Sequence, residues 1–297
     1  MGTMAFRALV KGLYSRPVSV AASIAVAVAS LMAGGAAVAR PLDEVIAAKS
    51  LRVVAYLDNE PFSWNDNGKA RGIDVDIARA MARELGVDAE IILRMPGEKE
   101  DDDLRVNVWK GPLTGGGVGD IMMHVPVDRE FALRNKEAVI GNGYFQERVA
   151  VAIHPDLTGE APTFETFKTQ KIGVQIATVA DYFLMTYQDG ALIETISHHV
   201  KPAVGAEAFA TKSVAAWMGV RSQIESLLEA KKIKPPFVEP DMTGIVRSNW
   251  VVGMAWKDNS RDLGYAIQAA LEKITNSGEL KTIFETYGVT YMPPPSP

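Results

Sequence analysis

Glu98, Glu100, Asp101, Asp102 and Asp103 crowd one short stretch of the chain. A hard cation such as calcium or a lanthanide takes several carboxylate oxygens at once. The run lacks the alternating ligands and central glycine of an EF-hand, and a solvated acidic loop is the plainer expectation, so no metal is assigned. His198 and His199 adjoin in a polar stretch with no carboxylate or third ligand at useful spacing, which discounts zinc. His124 precedes Val125 and Pro126 at the end of an apolar run, where it either lines the mouth of a cleft or is a satisfied buried ring. Glu60 and Asp128 are carboxyls that burial could turn into general acids. No nucleophile–base pair and no cofactor-cradling loop accompanies them, so the chain reads as noncatalytic, with no cofactor. It contains no cysteine, which excludes disulfides, thiolate metal sites and a cysteine nucleophile.

The elements that must position these groups alternate. Leu51–Tyr56 is a β-rich run closed by the turn formers Asp58-Asn59-Glu60-Pro61. Ile73, Ile77, Met81 and Leu85 recur at fourfold spacing between Asp74 and Gly86, an amphipathic helix with clear ends. Ala89–Leu93 returns as a strand, which completes a β-α-β unit and implies a parallel sheet. Asp120–Val125 and Val149–Ile153 read as buried strands with an irregular, charged stretch between them. Lys171–Ile176 is a strand feeding a helix capped by Thr178, with Asp181 at capping-box spacing. Later strands are expected at 214–218 and 250–255, then a helix through Leu263, Ile267, Leu271 and Ile274, Gly278 as its stop, and a last helix through Leu280 and Phe284. Pro293-Pro294-Pro295 reads as a frayed end.

Arg7, Lys11 and Arg16 precede an apolar run from Val18 to Ala33 and the small residues Ala37-Val38-Ala39, the pattern of a signal peptide cleaved after Ala39. Removing it takes away three basic residues and no acidic one, so the net charge falls from −5 to −8. Such a surface has no reason to seek nucleic acid or anionic lipid. A monomeric periplasmic protein without a membrane anchor is expected, larger than a single core usually supports.

The order of elements resembles the family 3 solute-binding proteins, the type II periplasmic binding fold. Leu51-Arg52-Val53-Val54, Pro61-Phe62, Gly72–Ala78 and Leu85-Gly86 carry the likeness, together with Gly253–Asp258, the Leu271 helix, Ser277-Gly278 and Tyr287-Gly288. The resemblance implies an α/β protein of two Rossmann-like lobes joined by two hinge strands. Lobe one would be 40–147 plus 250–297 and lobe two 148–249. Asp101–Arg105, Val108–Gly111 and Asp120–Asp128 are similar to the narrower MxaJ/XoxJ branch associated with quinoprotein methanol dehydrogenase.

The resemblance also implies where a ligand would sit. In amino-acid receptors of this fold an arginine after the equivalent of the Asp120–Val125 strand holds the substrate carboxylate. Arg129 and Arg134 bracket that position, neither at a matching spacing, and a surface ion pair is the competing fate of each. Thr178 falls on the second anion-holding device, a helix N-terminus, but capping alone accounts for it. The usual stacking aromatic is replaced by Asn59, followed by the Glu60 and Phe62 that complete the loop, and the usual lobe-two aspartate falls near Ala216 or Trp217. A buried ammonium without a carboxylate is costly, which speaks against an ordinary amino-acid receptor. Trp64, Trp109 and Trp217 lie beside segments that would face the cleft and suit broad apolar recognition. The expected function is a noncatalytic binding protein that takes a protein or peptide segment in its cleft. It would thereby assist activation or maturation of a PQQ-containing methanol dehydrogenase, lanthanide-dependent or not, that enzyme or its cytochrome being the partner. The alternative is an ABC-transporter receptor for a small polar solute. A cyclohexadienyl dehydratase on the same fold is the enzymatic reading.

Overall fold

The computed structural model describes residues 39–242 and 247–295; the signal-peptide segment before Ala39 lies outside them. α1 (Leu42–Ala48) leads into β1 (Ser50–Tyr56), then the three-stranded ribbon β2 (Asp58–Asn59), β3 (Ser63–Asp66) and β4 (Lys69–Arg71). α2 (Ile73–Glu84) buries Ile73, Val75, Ile77, Ala78 and Met81 along one face, and the chain leaves it through Gly86 at φ 73°. β5 (Asp88–Arg94) then lies parallel to β1, as the β-α-β spacing predicts. α3 (Glu100–Leu104) and a π-helical turn at Arg105–Trp109 precede β6 (Ile121–Pro126), which is also parallel to β1.

α4 (Arg129–Arg134) and the sixteen-residue β7 (Ala138–Ile153) occupy the stretch expected to be irregular. The signal was weak because Gly141, Asn142 and Gly143 interrupt the apolar alternation that marks a strand. Those glycines are where β7 meets β12 (Asn249–Lys257) at a register shift; a Cβ on Gly253 would come within 2.5 Å of Gly141 O. Between these two strands come α5 (Pro155–Thr158), β8 (Ile172–Gln175), α6 (Val179–Thr186), β9 (Ile196–His199), α7 (Pro202–Ala210), β10 (Ala216–Val220), α8 (Arg221–Glu229) and β11 (Phe237–Val238). α9 (Arg261–Asn276) and α10 (Glu279–Thr286) follow β12, separated by Gly278 at φ 82°.

The strands form one sheet in the order β5-β1-β6-β12-β7-β10-β8-β9, with β11 beside β7. Its first part is covered on one face by the core around Ile77, Met81, Ile267 and Phe284 and on the other by that around Leu104, Val108 and Phe131. Its second part is likewise covered by clusters around Phe167, Phe183 and Met218 and around Phe209, Trp217 and Leu228. Helices on both faces of a mixed sheet, parallel within β5-β1-β6 and within β10-β8-β9 and antiparallel where β12 and β7 cross between them, make this a doubly wound α/β body. β7 and β12 run between the two parts, and Trp250 of β12 packs against a core in each. The tail is not frayed through Pro295: Gln146 N–H donates to Met292 O at 2.9 Å, and Pro294 lies against Gly143.

Candidate functional site

Strand register brings the carboxyl ends of β6 and β10 together. β6 ends at Pro126, paired through Val252 to Phe145 of β7, while β10 ends at Val220, paired to Val149. The carboxyl ends of β6 and β10, one parallel strand from each part of the sheet, therefore converge on the five residues Phe145–Val149 of β7. In open α/β sheets the crevice beyond such ends is where ligands bind.

A cavity of about 370 Å³ opens at this crossing. Its wall includes Pro126, Asp128, Arg134, Gln146, Arg247 and Trp250. Asp128 ends the extended chain after β6 and caps α4, accepting from Phe131 N–H at 2.9 Å. That backbone donor, with the Arg247 guanidinium paired to the same carboxylate, holds the Asp128 carboxyl below its ordinary value. Asp128 is thus an ionised structural anchor, which argues against it as a general acid. Arg134 stacks over Phe131 at 5.6 Å and reaches Asp101 at 3.8 Å, which leaves its guanidinium only loosely held. Gln146 Nε2 donates to Asn249 Oδ1 at 3.0 Å across the two crossing strands. Arg129 is exposed at the first position of α4 and has no ion-pair partner among the described residues.

On the β1 side, Asn59 pairs with Ser63 in the ribbon, and its amide nitrogen is buried without a partner among the described residues. Glu60 is exposed, whereas Phe62 is core, its ring 4.3 Å from that of His124. His124 is half-buried at φ 61°, with Nδ1 3.2 Å from Asp74 Oδ2 but without hydrogen-bond alignment. Asp74 is 0 % exposed and accepts a short hydrogen bond from Tyr144 OH. Burial, then the Asp74 charge, pushes the Tyr144 hydroxyl well above its ordinary value and keeps it a donor. Behind the crossing, Glu147 is nearly fully buried; Ser222 Oγ donates to one carboxylate oxygen and Arg148 N–H to the other at 2.9 Å. Burial raises its carboxyl to about 7. Asp74, Tyr144, Glu147, Arg247 and the Gln146–Asn249 pair escaped sequence reasoning, because each acts through a partner 70 or more positions away. Only Asp74, a charge on the apolar face of an amphipathic helix, carried a local signal.

Several expected site residues have other employment. Trp217 is 2 % exposed in the core between α7 and α8, and neighbouring Ala216 is also buried, so neither offers the cleft a surface. Thr178 Oγ accepts from Asp181 N–H at 3.2 Å and donates to Gln175 O at 2.8 Å, the capping role its spacing predicts. Trp64 stands edge-on to Tyr287 and beneath Arg71. Trp109 packs partly against the Leu104 core, with its indole N–H buried and unpartnered. The acidic run is helical from Glu100 onward, and the carboxylates of its three aspartates are taken by protein donors. Asp101 accepts from Asn135, Asp102 from Arg105, and Asp103 from Tyr56 OH at 2.8 Å and Gly97 N–H at 2.6 Å. His198 does have a carboxylate neighbour, Asp181 Oδ1 at 2.9 Å, which folding supplies from α6 and linear spacing hid. No helix among the described residues is long and apolar enough to cross a membrane.

Comparison with known proteins places this geometry. Residues 51–101 match the family model described as bacterial extracellular solute-binding proteins, family 3. No curated protein matches. Among solved structures, the chain is similar to a polar amino acid ABC uptake transporter substrate-binding protein from Streptococcus thermophilus, at 12% identity and TM-score 0.66, over 85% of this chain and 90% of that one. An ancestral cationic amino acid solute-binding protein aligns at 21% identity and TM-score 0.65, over 83% of this chain and 99% of that one. An amino acid ABC transporter substrate-binding protein from Streptococcus pneumoniae, bound to L-arginine, aligns at 18% identity and TM-score 0.55, over 84% and 99%. At these identities the likeness establishes the fold, the type II periplasmic binding fold.

Proposed function

We propose that this chain is a noncatalytic periplasmic receptor that closes on a small polar solute bearing a carboxylate, in the manner of ABC-transporter binding proteins. Its lobes would be residues 40–147 plus 250–297 and residues 148–249, working as a monomer released by signal cleavage. The observation that carries the reading is the convergence of strand ends on the β7–β12 crossing, with Arg129 left unpaired after β6. Asn59 adds an unpartnered buried donor after the adjacent strand β1. Guanidinium groups match carboxylates in charge and geometry. A cavity of about 370 Å³ is the size of a small-molecule site. The L-arginine bound by one structural neighbour and the cationic amino acids of another fit the same chemistry. Thermal-shift screening against single amino acids and small organic acids tests it: a stabilising hit is expected, and a panel without any hit refutes it. Prephenate turnover, the enzymatic alternative, is expected to be absent.

A second reading rests on a different observation. Ile176 and Val179 follow β8, Val200 and Val204 follow β9, and Tyr182 continues the α6 face; Val200 is 78 % and Tyr182 61 % exposed. Apolar residues at ligand-facing strand ends suit a protein or peptide segment better than a polar solute. On this reading the occupant belongs to a PQQ-dependent methanol dehydrogenase or its cytochrome. Recovery of that enzyme by pull-down from periplasmic extract, with no small-molecule shift, would favour it.

A further inference from the structure

The chain beyond α10 touches both parts of the sheet. Gly288, at φ 70°, sits so close to α8 that a Cβ there would lie 2.5 Å from Glu229 Cβ. Thr290 N–H donates to Glu225 Oε2 at 2.8 Å, one helical turn earlier on α8, while Arg221 holds the other oxygen of Glu225 at 2.9 Å. The segment then returns to the first part of the sheet. Tyr291 packs on Phe284 at 5.1 Å between ring centroids, Met292 O accepts from Gln146 N–H at 2.9 Å, and Pro294 rests on Gly143 of β7. Pro293 and Pro295 line a second cavity, of about 380 Å³, together with Arg148, Glu239 and Ser248.

α8 packs within the core that also holds Phe209 and Trp217, whereas α10 and Tyr291 belong to the core of Ile77 and Phe284. A segment bonded to both bodies beside the crossing strands must move whenever the bodies rotate about them. Proline-rich chain loses little freedom when fixed in an extended path, so such a tie forms at small entropic cost. We infer that residues 287–295 form a third, noncovalent tie between the two bodies, and that the Thr290–Glu225 bond sets how far they open. The tie acts on the ligand-free protein and does not depend on what the cleft binds.

Absence of cysteine makes the test direct. Tyr265→Cys in α9 and Val204→Cys in α7 place spin labels at exposed positions on the two bodies. Pulsed electron resonance then gives the distribution of distances between them in the otherwise unaltered chain. Thr290→Pro removes the N–H donor, and Glu225→Ala removes the acceptor without touching the segment, so the latter decides if the proline variant fails to fold. The expected result is a mean distance shifted, or a distribution broadened, by more than about 2 Å relative to the parent. A Glu225→Ala protein that folds and keeps the parent distribution overturns the inference.

Discussion

Arg129 and Trp217 separate the two kinds of residue that a cleft-bearing protein places near its strand ends. Arg129 has charge, exposure and no partner among the described residues, so its removal costs the folded state little. Arg129→Ala is expected to leave the melting temperature unchanged while weakening binding of a carboxylate solute by roughly 10- to 100-fold, the value of one charge-assisted hydrogen bond, measured by calorimetry. Trp217 presents the opposite balance. Its ring fills the space between α7 and α8, and Trp217→Ala is expected to cost about 3–5 kcal/mol in denaturant unfolding through the cavity it leaves. The sequence could not distinguish these fates, since a tryptophan on a short apolar run serves a core and a cleft equally well. Thr178 was legible because a cap is local, with every bond it makes lying within three residues.

Among the elements, β7 carries both the architecture and the principal pH dependence. Glu147 is held on it by Ser222 of α8 and by the Arg148 backbone N–H, with His124 of β6 as the basic group that acts on its charge. Burial raises its carboxyl from 4.5 to about 7. Below pH 4.5 the group is protonated both folded and unfolded and contributes no pH dependence. Between 4.5 and 7 the native state holds the proton the unfolded chain has lost, so stability falls as pH rises; above 7 the loss is complete. The shift corresponds to roughly 3 kcal/mol. Glu147→Gln is expected to flatten that part of the pH–stability curve, and a slope unchanged by the substitution would refute the assignment. β1, α2, β5, α6, α9 and α10 were readable because each repeats its own period and ends in a cap or glycine. The first half of β7 was not, because its partner is β12, more than 100 residues away. The helical turn in the acidic run and the docked prolines were hidden for the same reason: Asn135, Tyr56 and Gln146 hold them from elsewhere in the chain.

For the molecule as a whole, the alternation of strands and helices indicated β-α-β units and parallel strand pairing, the resemblance to family 3 supplied the two-lobed fold, and structural neighbours share that type II binding fold. What the alternation could not convey is the content of the crossing. Arg134 and Arg247, the Gln146–Asn249 bond and the Asp74–Tyr144 pair assemble only when the crossing strands bring distant segments together. The apolar rim of Ile176, Val179, Tyr182, Val200 and Val204 likewise emerges from two strand ends and two helix starts. The central claim is that this crossing receives a small carboxylate-bearing solute. Isothermal titration of the folded protein with single amino acids and small organic acids tests it most directly. Saturable binding that Arg129→Ala weakens at least about tenfold is the predicted result; no binding by any member of the panel, or binding indifferent to Arg129, would contradict it.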